Sequence, residues 1–234
     1  MTTRNIFSTV DVTGLINDYG NQMKSYYDGV DVTSKYMSPE LEAMLIKIKN
    51  GEKQLMKIGY YDTSVLPSYT RLISSKSSTI GYKVTRQDYE WIDERSGLLR
   101  LNNIYNLMIS ASNGDTIRWW GHTISPNSSI QAIISDVHRP NPQGGRPSEF
   151  AAFSRRNVQF YYANAAVNPE NLLAGVEVST QQAYCLECTL NATSGQTISY
   201  DIDLMLLSTG FIYEGSLISV PIATVVVDPT IVVS

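Results

Sequence analysis

The sequence predicts an all-β fold, a two-sheet antiparallel β-sandwich of the jelly-roll kind with a helical insertion near the N-terminus. Three observations carry that prediction. Ile198, Tyr200, Ile202, Leu204 and Leu206 alternate with Ser199, Asp201, Asp203 and Met205, the period-two pattern of a half-buried antiparallel strand. Short extended segments recur at spacings of roughly ten residues, with Gly, Pro and Asn between them, as in sandwiches. The aromatic content is weighted to tyrosine, 15 against 5 phenylalanines, and tyrosine suits half-buried strands and subunit contacts, where its ring packs while its hydroxyl stays bonded.

The elements follow in order. Residues 6–16 read as a first strand, and 18–35, rich in Tyr, Gly, Asp and Ser, as a loop. A helix begins at Pro39 behind Ser38 as N-cap. Glu40 and Glu42 complement its dipole, and Leu41, Met44, Leu45 and Ile48 form one apolar stripe. Asn50-Gly51 ends it. Short strands are expected at Ile80–Val84, Tyr89–Ile92, Asn103–Ser110, Thr116–Ile124 and Ile130–Val137, with turns at Asn113-Gly114-Asp115 and Pro126-Asn127. Residues 139–147 carry three prolines and two glycines and read as a surface loop. Strands follow at Asn157–Ala163, Leu173–Ser179, Ala183–Ala192 and through Leu206. A turn at Ser208-Thr209-Gly210 then leads to Phe211–Val220 and Ile222–Val233. The 234 residues fit one domain, 1–234, with the helix-containing insertion at about 20–95.

Composition narrows the function classes. Charged residues are only 17% of the chain and the net charge is −4. Weak self-repulsion favours self-association. No lysine- or arginine-rich run marks a nucleic-acid interface. Met1 to Phe7 lacks the apolar core of a secretory signal, and no apolar run is long enough to span a bilayer. A cytoplasmic protein without a membrane partner is expected, with leaderless release left open.

Candidate chemistry is sparse. Cys185 and Cys188 are three apart on a strand and so face opposite ways, whereas a redox pair needs a helix N-terminus and a zinc site two more ligands. Asp136-x-His138 puts two polar groups on one strand face, without a nucleophile to serve. Asp201-x-Asp203 puts two carboxylates about 7 Å apart on one face, a spacing used by glycosidases and calcium sites but expected here to lie on a solvated outer face. Trp91 and Trp120 are candidate ligand-binding or contact aromatics. Trp119 and Trp120 are adjacent, so at least one must point inward. No phosphate-binding loop, metalloprotease helix or serine-hydrolase elbow is present. No enzyme activity, cofactor or metal is expected.

Several segments, in order, resemble a bacterial family. They are Thr9–Ile16, the hairpin Leu107–Trp119 with its Gly-Asp-x-Ile-x-Trp core, Tyr200–Leu206, Phe211–Gly215, and the closing Asp228-Pro229-Thr230-Ile231-Val232-Val233. The set is similar to the AidA/PixA-type inclusion-body proteins, in which Gly114, Asp115, Trp119, Asp228 and Pro229 would be family-motif structural positions. The resemblance implies a protein without catalytic residues, in a family of which some members accumulate as large crystalline cytoplasmic bodies and others are tied to quorum sensing or host association. The expectation is therefore a non-enzymatic structural protein that binds itself, as a homo-oligomer packing into cytoplasmic crystalline inclusions. A lectin-like carbohydrate-binding module, calcium-assisted at loop carboxylates, is the alternative, and a viral jelly-roll coat protein a further one.

Overall fold

The structure, a computed structural model, describes residues 1–34, 36–58, 69–75, 77–82, 107–124, 129–140, 143–168, 170–213 and 216–234. The expected strand at Tyr89–Ile92, Trp91 within it, and the turn at Pro126-Asn127 lie outside them. Among the described residues the fold is mostly β, with two α-helices.

One five-stranded sheet has the order β3-β1-β6-β9-β8. Its strands are β1 (Thr3–Val10), β3 (Thr70–Ser74), β6 (Thr116–Thr123), β8 (Phe150–Ala166) and β9 (Val176–Leu190). A second, four-stranded sheet joins β2 (Met56–Ile58), β12 (Ser216–Val227), β11 (Asp201–Tyr213) and β7 (Ile130–His138) in that order. A third joins β10 (Thr197–Ser199), β13 (Thr230–Val233), β5 (Leu107–Ala111) and β4 (Thr79–Tyr82). The second and third sheets are continuous through two strand breaks at one level. The chain passes from β10 to β11 through Tyr200 and from β12 to β13 through Asp228-Pro229, and the Tyr200 N–H donates to the Pro229 carbonyl at 3.3 Å. Pro229 has no N–H to give the ladder, and Asp228-Pro229 fall between β12 and β13.

The sandwich-like, all-β reading holds, but the sheets are mixed rather than antiparallel. β1 runs parallel to β6, β2 to β12, and β5 to β13. Side-chain periodicity reports burial of a face and carries no information on strand direction, which depends on long crossovers between distant segments. Within the span 20–95, β2, β3 and β4 each pair with a strand outside it.

The opening segment differs from the expectation. β1 stops at Val10, and helix α1 (Val12–Tyr26) occupies what reads as strand end and loop. Asp11 caps it, accepting from the Gly14 N–H at 3.1 Å. Val12, Leu15, Tyr19 and Met23 bury one stripe. Helix α2 (Pro39–Lys49) forms as predicted: the Ser38 hydroxyl accepts from Leu41 N–H at 3.2 Å, and Leu41, Met44, Leu45 and Ile48 are the buried residues. α2 packs on β12, which is buried on both faces from Ile222 to Val227. The Tyr27 hydroxyl ties the helical layer down, donating to the Ile222 carbonyl at 2.6 Å and accepting from Met56 N–H at 3.1 Å.

Three further boundaries move. Ser208-Thr209-Gly210 is no turn, because β11 runs on to Tyr213. Leu173–Ser179 and Ala183–Ala192 merge into the single strand β9, and β8 begins at Phe150 rather than Asn157.

Candidate functional site

The Gly-Asp-x-Ile-x-Trp hairpin is a fastening point. Gly114 adopts φ 83° in the turn between β5 and β6, a conformation glycine takes without steric cost. The buried Asp115 carboxylate accepts from the N–H of Thr2 at 2.8 Å, the N–H of Ser112 at 3.1 Å and Arg4 Nε at 3.1 Å. It thereby joins the chain's start, the turn and β1. Burial alone would raise its pKa, but the two N–H groups and the Arg4 guanidinium outweigh that and hold it below the usual carboxylate value.

Both tryptophans are buried, on opposite faces of β6. Trp119 sits among Phe150, Phe153 and Tyr200, with ring centroids 5.2 to 6.1 Å away, and its Nε1 donates to the Tyr200 hydroxyl at 3.1 Å. Trp120 stacks near Phe7 and donates to Asn5 Oδ1 at 3.0 Å. Neither indole offers a face to solvent. Asp228 is exposed and Pro229 buried at the strand break.

The polar residues of β7 and β11 form one cluster. His138 lies opposite Asp201, and Asp136 opposite Asp203. His138 Nε2 is 3.2 Å from Asp203 Oδ1 and Nδ1 is 2.8 Å from the Arg139 carbonyl. The hydrogen bond to Asp203 raises the His138 pKa to about 9, against the opposing effect of burial, with help from the Arg139 carbonyl and Asp201. Asp201 is buried, not solvated as its strand position suggests. Burial first, then the neighbouring Asp228 charge, push its carboxyl up to about 6. Asp136 is instead engaged by Arg146 at 2.9 Å. No nucleophile is among the contacts that His138 makes here. Among the described residues no three His, Cys, Asp or Glu side chains converge as a metal-holding group.

Cys185 and Cys188 are free and buried, opposite Trp120 and Ile117 on β6. Burial pushes the Cys188 thiol up to about 12, so it is neither a thiolate nor exposed to become one. A shallow groove of about 660 Å³ lies beside Asn113, Glu149, Asn191 and Gln196, and no aromatic side chain lines it.

Among the described residues, the largest cluster of exposed apolar side chains lies on the β8–β9 hairpin. Its strands pair antiparallel from Phe150↔Leu190 to Ala166↔Val176, while β6 reaches only Cys185–Thr189 of β9. From Asn157↔Tyr184 outward the hairpin has no third strand among the described residues. It stands out as an arm of ten residues on β8 and nine on β9, about 33 Å long. Tyr161, Val167, Leu173, Val176 and Val178 are all exposed on it, Leu173 at 98%. The sequence segments the arm into separate short strands because its polar and apolar residues follow no clean period. The available signal is the run without charge or proline from Asn157 to Asn168.

The scaffold is sandwich-like and β-rich, with a motif that fastens the β5–β6 turn to the start of the chain and an arm that projects from the sheet. The sequence profile of the PixA family, described as inclusion body protein, matches residues 84–219, more than half of the chain, and this protein belongs to that family. A solved inclusion body protein of the same family from Burkholderia cenocepacia J2315 aligns over 100% of this chain and 96% of its own, at 11% sequence identity and a TM-score of 0.49. No curated protein matches the sequence.

Proposed function

We propose that this protein is a non-enzymatic, self-associating structural protein that accumulates as ordered inclusion bodies in the bacterial cytoplasm. The observation that carries the reading is membership of the inclusion body protein family. The physics agrees with it. Charged residues at 17% leave little repulsion between copies, and the net charge of −4 gives no attraction to polyanions. An arm of exposed valine, leucine and tyrosine supplies apolar and strand-edge contacts.

Electron microscopy of producing cells tests the reading. Ordered cytoplasmic bodies composed of this chain are the expected result. Dispersed monomer, both in cells at high expression and in sedimentation of the purified chain at high concentration, overturns it.

A further inference from the structure

We propose that the edge of β8 between Ser154 and Ala163, which has no partner strand among the described residues, is the primary contact between copies: a second copy of this chain pairs with it antiparallel about a twofold axis. The proposal deepens the self-association reading above and rests on it. Register shifts at Ala151/Ser154 and Ala163/Ala165 bracket the segment, which is the longest uninterrupted stretch of the strand. Within the first of these shifts Ala152 takes φ 50°, a bulge just before the segment begins.

An edge strand normally carries lysine, proline or an inward charge that blocks pairing with another chain. From Asn157 to Asn168 this edge carries none. A two-stranded ribbon with both faces in water is marginal by itself and gains from a third and fourth strand. An arm-to-arm pair supplies both strands at once.

Charge selects the second copy and its direction. The base of the arm is basic. Arg118 Nε is 2.6 Å and Arg156 Nε 3.4 Å from the one Glu187 carboxylate, and Arg155 adds a third cation on the opposite face of β8. The tip is acidic, with Glu170 in the loop and Glu177 opposite Ala165, and no other charge lies from Asn157 to Ala183. Antiparallel pairing slides each acidic tip along the partner's basic base. Parallel pairing would set arginine beside arginine. Because the same edge serves both partners, the contact closes on itself as a dimer, which then acts as the repeating unit of a larger body.

Sedimentation equilibrium of the full chain and of the double variant Asn157→Lys/Tyr161→Lys tests the contact. Both positions are exposed, so the variant keeps its fold, checked by an unchanged thermal transition. The expected outcome is a dimer for the unaltered chain and a dissociation constant raised at least about 100-fold in the variant. Glu170→Lys/Glu177→Lys is expected to weaken the dimer too, and to do so less at high salt. Single cysteines placed at Val158 or Gln159, near the axis, are expected to form intermolecular disulfides, whereas Leu217→Cys on the β11–β12 hairpin does not. An oligomer unchanged by the arm variants and cross-linking only through Leu217→Cys overturns the arm contact while leaving self-association standing. A monomer at all concentrations overturns both.

Discussion

The Trp119 indole and the Tyr200 hydroxyl are joined at 3.1 Å between β6 of the five-stranded sheet and the strand break that links the other two sheets. Both residues are fully buried. This bond fixes the corner of one layer to the centre of the other, and Phe150 closes on both rings at 5.2 and 5.3 Å. Burial pushes the Tyr200 hydroxyl well above the ordinary tyrosine value, so it stays protonated throughout the accessible pH range. Tyr200→Phe leaves the indole N–H without an acceptor and is expected to cost about 2 kcal/mol. Trp119→Phe adds a cavity and is expected to cost about 3 kcal/mol or more. Urea denaturation followed by circular dichroism measures both. Equal midpoints for Tyr200→Phe and the unaltered chain would show that the bond contributes nothing.

Asp115 is expected to matter out of proportion to its place in a turn. It accepts three hydrogen bonds, one of them from the backbone of Thr2, 113 residues away in sequence. Asp115→Ala leaves two N–H groups and the Arg4 guanidinium without their acceptor. The expected loss is about 3 kcal/mol, with Asp115→Asn losing less because one oxygen remains. Its pKa is lowered in the folded state from 3.8. Its contribution is therefore fully present above that value and disappears as the pH falls through the lower, folded one. An acid titration of stability in which Asp115→Asn has the same slope as the unaltered chain below pH 4 would refute this.

The same residues show which parts of the fold are legible in the sequence. The Gly114-Asp115 turn, α2 with its Ser38 cap, and the burial of Ile198, Tyr200, Ile202, Leu204 and Leu206 follow from local chemistry: a left-handed turn, a capping hydroxyl, a period of two. α1 is harder to read because Val12, Thr13, Gly14 and Gly20 lower helix propensity. The signals it leaves are the Asp11 cap and the spacing of Val12, Leu15, Tyr19 and Met23. Asp201 looks solvated because alternation assigns it to the outer face, yet His138 comes to it from β7 and Asp228 from the β12–β13 break. Nor can the projecting arm be read locally, since it is defined by where β6 stops pairing with β9.

Gly121 sets how closely β6 and β7 approach. A Cβ at this position would lie 2.5 Å from the Ile134 nitrogen and 2.7 Å from the Ile133 carbonyl carbon, both backbone atoms that cannot swing away. Thr123 holds the same crossing two residues on, its hydroxyl accepting from Ala132 N–H at 2.7 Å. Gly121→Ala must push the two strands apart and is expected to destabilise by about 3 kcal/mol. Gly29→Ala is the comparison, since its φ of 88° is strained for alanine but a Cβ there meets nothing within 4 Å. Its expected cost is about 1 kcal/mol. Thermal unfolding of the two variants separates steric exclusion from backbone strain, and a Gly121→Ala transition no lower than that of Gly29→Ala would contradict the close approach.

The His138 cluster makes stability fall as the pH rises. His138 is raised in the folded state from 6.5 to about 9, so its contribution is complete below pH 6.5 and lost as the pH climbs through 9. Asp201 is raised from 3.8 to about 6. The folded chain therefore binds more protons than the unfolded one between those values, and stability again declines with rising pH across that window. Asp115 acts in the opposite direction below pH 4, which places the optimum in mildly acidic solution. The loss through His138 is about 3 kcal/mol at most, from the size of the shift. His138→Gln removes the titrating group, leaves Asp203 a hydrogen-bond donor, and is expected to flatten the decline between pH 6.5 and 9. The Asp201-linked decline below pH 6 should persist. Chemical denaturation midpoints for both chains across pH 4 to 9.5 measure these slopes, and parallel curves above pH 6.5 would show that His138 does not carry the effect.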